Sequence, residues 1–130
     1  MKKIFIVILS IVCLFQSNII AEELIHSVRV IDGYEEVISK KNQSTILVFS
    51  ADWCKYCNKL KSEVKNLDLG QYDIHFIDVE SRPDLKKEYS VKSLPTSIIL
   101  KNKKEISRKI GYEKKEYQNW IDSNKEVNNG

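Results

Sequence analysis

Cysteine is scarce in this sequence, three in 130 residues, and so are histidine (two), proline (two), glycine (four) and methionine (one). Each scarcity excludes something. With so few glycines and prolines, no repeat, low-complexity linker or second domain is marked out. Neither sign of charge dominates: 21 basic residues face 18 acidic ones. The lysines alternate with acids in stretches such as 59–65 and 101–109, which describes a solvated surface and argues against a nucleic-acid binder. A long hydrophobic run is also missing. Ile4 to Phe15 has 12 residues, short of the roughly 18 of a membrane-spanning helix.

That apolar run follows a basic Met1-Lys2-Lys3 and precedes Gln16-Ser17-Asn18-Ile19-Ile20-Ala21, a polar break ending on a small residue. Residues 1–21 therefore read as a secretory signal peptide cut after Ala21, with an uncleaved signal anchor as the alternative and the only expected membrane contact. Cys13 lies inside it. Val12 precedes that cysteine, where a lipid-anchored cysteine would follow a small residue, so Cys13 is expected to leave with the signal. The mature part, 22–130, would be 109 residues (130 − 21), one domain with a modest core. Without Lys2 and Lys3 it carries 19 basic and 18 acidic residues, a formal charge of +1. The expected location is periplasmic or otherwise exported, an oxidising compartment.

Along the mature chain, Val28 and Val30 suggest a short strand. Asp32 and Glu35 form a capping box for a short helix with Tyr34, Val37 and Ile38 on its apolar stripe. Thr45 to Phe49 is a continuous apolar run suited to a central strand covered on both faces. Leu60, Val64 and Leu67 then recur at helical spacing, predicting a helix that begins at the cysteines and ends near Gly70. Ile74 to Val79 reads as a strand, and Pro83 opens a short helix to Tyr89. Pro95 stands at the start of another strand, Ser97 to Leu100. Asn102-Lys103-Lys104 is a turn into a hairpin partner, Glu105 to Ile110, which Gly111 breaks. A last helix carries Tyr117, Trp120 and Ile121, and the Asn-rich end from Asn124 to Gly130 is expected to fray. Alternating strands and helices predict an α/β domain with parallel pairing.

Cys54 and Cys57 remain as the candidate chemistry. Cys54 falls where the Thr45–Phe49 strand gives way to a helix, so unpaired backbone N–H groups and the helix dipole stabilise a thiolate there. Such positions lower a cysteine pKa from about 8.5 into a range of roughly 3.5 to 7.5. Cys57, one turn on, can displace Cys54 from a mixed disulfide, which completes a reversible two-electron exchange. A passive staple is the rival reading. A bridge over two intervening residues removes little loop entropy, so the spacing suits exchange better. Metal binding needs three or four ligands, and only these cysteines, His26 and His75 remain, with no second CxxC. A c-type haem would need histidine after Cys57, where Asn58 stands. No cofactor is expected beyond a redox-active Cys54–Cys57 disulfide. Trp53 and Tyr56 read as walls and contact surface of the site, His75 as a half-buried sheet residue, Asp52 as a solvated loop carboxylate, and Tyr117 and Trp120 as core.

Together, Trp53-Cys54-Lys55-Tyr56-Cys57 after a hydrophobic strand, Leu94-Pro95-Thr96 before a hairpin, and Gly111-Tyr112 before a final helix resemble the thioredoxin superfamily over nearly the whole mature length. The resemblance implies a thioredoxin fold: a central mixed sheet of four to five strands flanked by helices on both faces. It also implies a cis peptide bond at Pro95 beside Cys54, with Leu94 and Pro95 as a backbone platform for a substrate strand. Two departures stand out. Lys55-Tyr56 replaces the Gly-Pro of cytoplasmic relatives, and Val48 and Phe76 stand where those relatives bury an aspartate and its lysine partner. Lys55 should favour the Cys54 thiolate modestly and raise the reduction potential. Cys57 should lack general-base assistance. The expected activity is disulfide exchange with exported cysteine-containing proteins in the bacterial cell envelope, by a monomeric reductase or electron carrier recharged by a membrane thiol donor. A dithiol oxidase and a non-catalytic binding module are the alternatives.

Overall fold

The computed structural model describes residues 29–30, 34–39 and 44–125. The signal segment, the capping residue Asp32 and the chain beyond Lys125 lie outside the described residues. In chain order the elements are β1 (Arg29–Val30), α1 (Tyr34–Ser39), β2 (Ser44–Ser50), α2 (Lys55–Glu63), a 3-10 turn (Val64–Asn66), β3 (Tyr72–Asp78), α3 (Pro83–Glu88), β4 (Thr96–Lys101), β5 (Lys104–Ile110) and α4 (Lys114–Asn124).

The five strands form one sheet in the order β1-β3-β2-β4-β5. β3 runs parallel to both β1 and β2, which a strand can do only after a crossover, and α1 and α2 supply the crossovers. β4 is antiparallel to β2, and β5 to β4. The β4–β5 turn needs positive φ at both central residues, and Asn102 (50°) and Lys103 (66°) provide it.

β2 is the middle strand, and its alternate side chains feed two cores. On one face Ile46 and Val48 join Ile74, Phe76 and Ile99 beneath Leu60 of α2 and Tyr117 and Ile121 of α4. On the other, Leu47 and Phe49 join Ile77, Ile98 and Leu100 against Tyr34 of α1 and Leu85 of α3. Each fully buried aliphatic side chain contributes roughly 1.5–3 kcal/mol, so one strand with six consecutive buried residues anchors both layers.

The predicted helix to Gly70 is corrected. α2 ends at Glu63, the Val64 N–H still closing onto the Leu60 carbonyl, and the chain then tightens into the 3-10 turn before Leu67 becomes extended. Val64 and Leu67 are buried all the same, because a 3-10 turn with its period of about three keeps them on the core side. His75 is also more buried in β3 than the half-buried position expected of it.

Candidate redox site

β2 ends at Ser50, and the chain turns so that the Cys54 N–H donates to the Ala51 carbonyl at 3.1 Å. Cys54 is then the N-cap of α2, with extended φ and ψ of −81° and 107°, and its Sγ accepts the Cys57 backbone N–H at 3.2 Å. Serine, threonine or aspartate usually fills such a position with an oxygen. Here a sulfur takes the helix N-terminus, where partial positive charge favours an anion. Cys54 and Cys57 are joined by a disulfide, their Cα atoms 5.2 Å apart. Cys54 is 7% exposed and Cys57 fully buried, so a partner approaching from solvent meets Cys54 first.

Exposed aromatic residues adjoin Cys54 in the chain. Trp53 is 69% exposed and Tyr56 56%, unusual for large apolar side chains, so Trp53 stands out from the site more than it walls it. The Trp53 indole N–H donates to Glu80 Oε1 at 3.1 Å, which fixes the ring. The Asn58 amide donates to the Asp52 carbonyl at 2.8 Å and braces the same loop from α2. Lys55 is exposed at the first position of α2, and Asp52 is a solvated loop carboxylate.

The register pairs Phe49 with Thr96, which carries Pro95 to the Ser50 end of β2 and so to the end where the cysteines lie. The Leu94–Pro95 peptide bond is cis. The Pro95 carbonyl accepts the Gly111 N–H at 2.8 Å, and the Thr96 hydroxyl donates to the Ser93 carbonyl at 2.7 Å, so the loop is tied at both ends. Gly111 makes this tie at φ 78°, a conformation that side-chain-bearing residues adopt only at a cost.

Beneath α2, Val48 and Phe76 are direct partners across β2 and β3, and both are buried in the core that includes Leu60. The floor of the site is apolar. The Lys61 ammonium lies 5.7 Å from the Phe76 ring centroid and 4.0 Å from Asp52 Oδ1. Asp78, at the end of β3, is held below the usual carboxylate range. The Ser81 hydroxyl bonded to it is the main cause and the Glu80 N–H the next, against its burial, with Lys61 adding attraction. Among the described residues no cluster of histidine, cysteine and carboxylate side chains could hold a metal, and no helix is long and apolar enough to cross a membrane.

Glu80 and Lys61 did not emerge from the sequence as site residues, Asn58 emerged only as the residue that excludes a haem histidine, and Gly111 only as a strand break and part of the Gly111-Tyr112 motif. Only Glu80 had a usable signal: parallel β2 and β3 end together, so a polar residue just beyond β3 must lie near the residues just beyond β2.

Fold and site together define a thioredoxin-fold protein with a CxxC disulfide at a helix N-terminus. The chain belongs to the thioredoxin family, whose model ("Thioredoxin") matches residues 26–123. It is 34% identical to thioredoxin H2 of Arabidopsis thaliana over 83 residues, which is 62% of each chain. To the thioredoxin of Chlamydia trachomatis it is 31% identical over 90 residues, covering 62% of this chain and 88% of that one. The chain spans about 62% of the length of the first plant relatives. The crystal structure of Fasciola hepatica thioredoxin superposes with a TM-score of 0.66 at 24% identity, over 76% of this chain and 99% of the other, a likeness of fold.

Proposed function

We propose that this chain exchanges disulfides with exported cysteine-containing proteins in the bacterial cell envelope, as a reductase or electron carrier recharged by a membrane thiol donor. The observation that carries the exchange chemistry is the N-capping Cys54, whose Sγ accepts the Cys57 N–H at 3.2 Å and is the outer of the two bridged sulfurs. In the dithiol form the Cys54 thiolate attacks a substrate disulfide, and the second substrate sulfur leaves. Cys57 then attacks Cys54, which restores the internal disulfide and releases the first. Leu94 and Pro95 support a substrate strand beside Cys54, and Trp53 and Tyr56 supply contact area. Support for the compartment comes from the signal-like 1–21 segment. Support for the reducing direction comes from the apolar residue, Leu94, before Pro95.

Insulin-disulfide reduction in the presence of dithiothreitol tests the chemistry. Cys54→Ser is expected to abolish it, and unchanged activity would defeat the proposal. Direction is tested by the equilibrium potential against glutathione: a value near about −120 mV, like that of the strongest dithiol oxidants, would make the chain an oxidase. Cys57→Ser should accumulate mixed disulfides in cell-envelope extracts, and an empty trap would leave only a binding module.

A further inference from the structure

We infer that Lys61 is a positioning residue for the resolving step, its ammonium providing the field that favours the thiolate of the buried Cys57 where no carboxylate assists. The inference rests on the exchange reaction proposed above. Cys57 is fully buried, and apolar surroundings oppose a thiolate. Val48 and Phe76, in the core beneath α2, provide no charge. Lys61 lies four residues further along α2, on the same helical face, where such pairs have Cβ atoms about 5–6 Å apart. Helical side chains lean toward the N-terminus, which tilts Lys61 back toward Cys57. Its ammonium lies over the Phe76 ring at 5.7 Å with a side chain 33% exposed, so solvent weakens its field without removing it.

The alternative is that Lys61 only tethers the Asp52 loop. That contact is 4.0 Å to a side chain 98% exposed, a pairing that holds little. The other charges near Cys57 are already placed. Lys55 and Asp52 are exposed in solvent, and Asp78 is engaged by Ser81 and the Glu80 N–H. Glu80 accepts from Trp53, and Glu63 accepts from Tyr112. β2 has no ionisable residue, β4 has only Lys101 at its far end, and Tyr117 of α4 is uncharged at neutral pH. Among the described residues, Lys61 is therefore the cation on the Cys57 face of α2, held only weakly by its carboxylate neighbours: Asp52 at 4.0 Å, and Asp78 by attraction without a hydrogen bond.

In the step itself the Cys57 thiolate attacks Cys54 Sγ. The Cys54–substrate S–S bond breaks, the Cys54–Cys57 bond forms, and the substrate sulfur leaves with the electron pair. The proton Cys57 gave up ends, through solvent, on that leaving thiolate. The site dithiol loses two electrons and the substrate disulfide gains them.

The test uses the reduced full chain carrying Cys13→Ser, which serves as the wild-type reference and leaves Cys54 and Cys57 as its only thiols, and dithiobis-nitrobenzoate in stopped flow. Attack by Cys54 releases one thionitrobenzoate, and resolution by Cys57 releases the second, so the two steps appear as two phases. For Lys61→Met the expected result is a second phase about threefold slower at neutral pH, its rate–pH midpoint raised by about half a unit. The first phase should be little changed, Lys61→Arg should restore the profile, and high salt should narrow the difference. A second phase superimposable on wild type, or both phases shifted equally, would overturn the role of Lys61. Absence of the second phase in the wild-type chain would instead defeat the exchange reaction, and this inference with it.

Discussion

Val48 fills its position without a charge, and the consequence is specific to that position. It is fully buried, it faces Phe76 across the strands, and both lie in the core beneath α2. Val48→Asp would place a carboxylate there with no buried cation among the described residues to pair with. Burial raises such a pKa by up to 3–5 units, so the charged form is penalised at neutral pH, by roughly 3–5 kcal/mol. The sign follows from the raised folded-state pKa. The penalty is small below the unfolded value near 4 and grows as pH rises toward the folded one. Urea unfolding at pH 7 and pH 4 should therefore show a large loss of stability at the first and a smaller one at the second. Adding Phe76→Lys should recover part of the neutral-pH loss. A loss independent of pH would mean a packing effect only. The Val48 departure was legible in the sequence because it depends on alignment within one strand. Lys61 and Glu80 were not, since a cation over a ring and an indole held by a carboxylate 27 residues away exist only once β3 is laid beside β2 and α2 above it.

Among the elements, α4 shows how a helix end depends on neighbours. Lys125, just past its last turn, bonds Asp68 Oδ2 and Asp122 Oδ1, each at 2.7 Å. The Gln118 amide and the Asp68 backbone exchange two hydrogen bonds of 3.0 and 2.9 Å, and the Tyr72 hydroxyl donates to the Asn124 carbonyl. The Lys125 ammonium holds the Asp68 and Asp122 carboxyls below their usual range, hydrogen bonding being the leading cause in both. Depressed carboxylates stabilise above their unfolded pKa and lose that contribution as pH falls through the folded one. Lys125→Met should speed amide exchange in residues 121–124 at neutral pH, and the difference should close in acid. Equal exchange at neutral pH would show that Gln118 and Tyr72 hold the end alone. The extent of this element was readable from Tyr117 and Ile121, as β2 and β4 were from their apolar runs and the hairpin from Asn102-Lys103. The end of α2 was not, because Val64 and Leu67 keep a helix-like spacing while the backbone has already changed to a 3-10 turn and then to an extended segment.

For the molecule as a whole, the layer between the sheet and α4 is stabilised by tyrosines that must stay neutral. Tyr117 is fully buried and donates to the Ser97 hydroxyl at 2.7 Å; Tyr112 is nearly as buried and donates to the Glu63 carboxylate at 2.6 Å. Burial is the leading cause that raises both phenols well above the ordinary value near 10, and it raises Tyr72 as well. In the unfolded chain they ionise near pH 10, while in the folded chain they keep their protons. The unfolded state therefore binds fewer protons above that pH, and stability falls as pH rises, by about 1.4 kcal/mol per pH unit for each tyrosine still protonated in the fold. Lysines lose their ion pairs over the same range, so the total slope alone does not identify the tyrosines. Tyr117→Phe does. It should cost about 0.5–1.5 kcal/mol at neutral pH through the lost hydrogen bond and then fall less steeply above pH 10, by the share of one phenol. The wild-type and variant curves from chemical denaturation should converge, and they should cross if the neutral-pH cost is near its lower bound. Parallel curves throughout would mean that Tyr117 ionises in the fold as readily as in the unfolded chain, which its complete burial beneath α4 opposes.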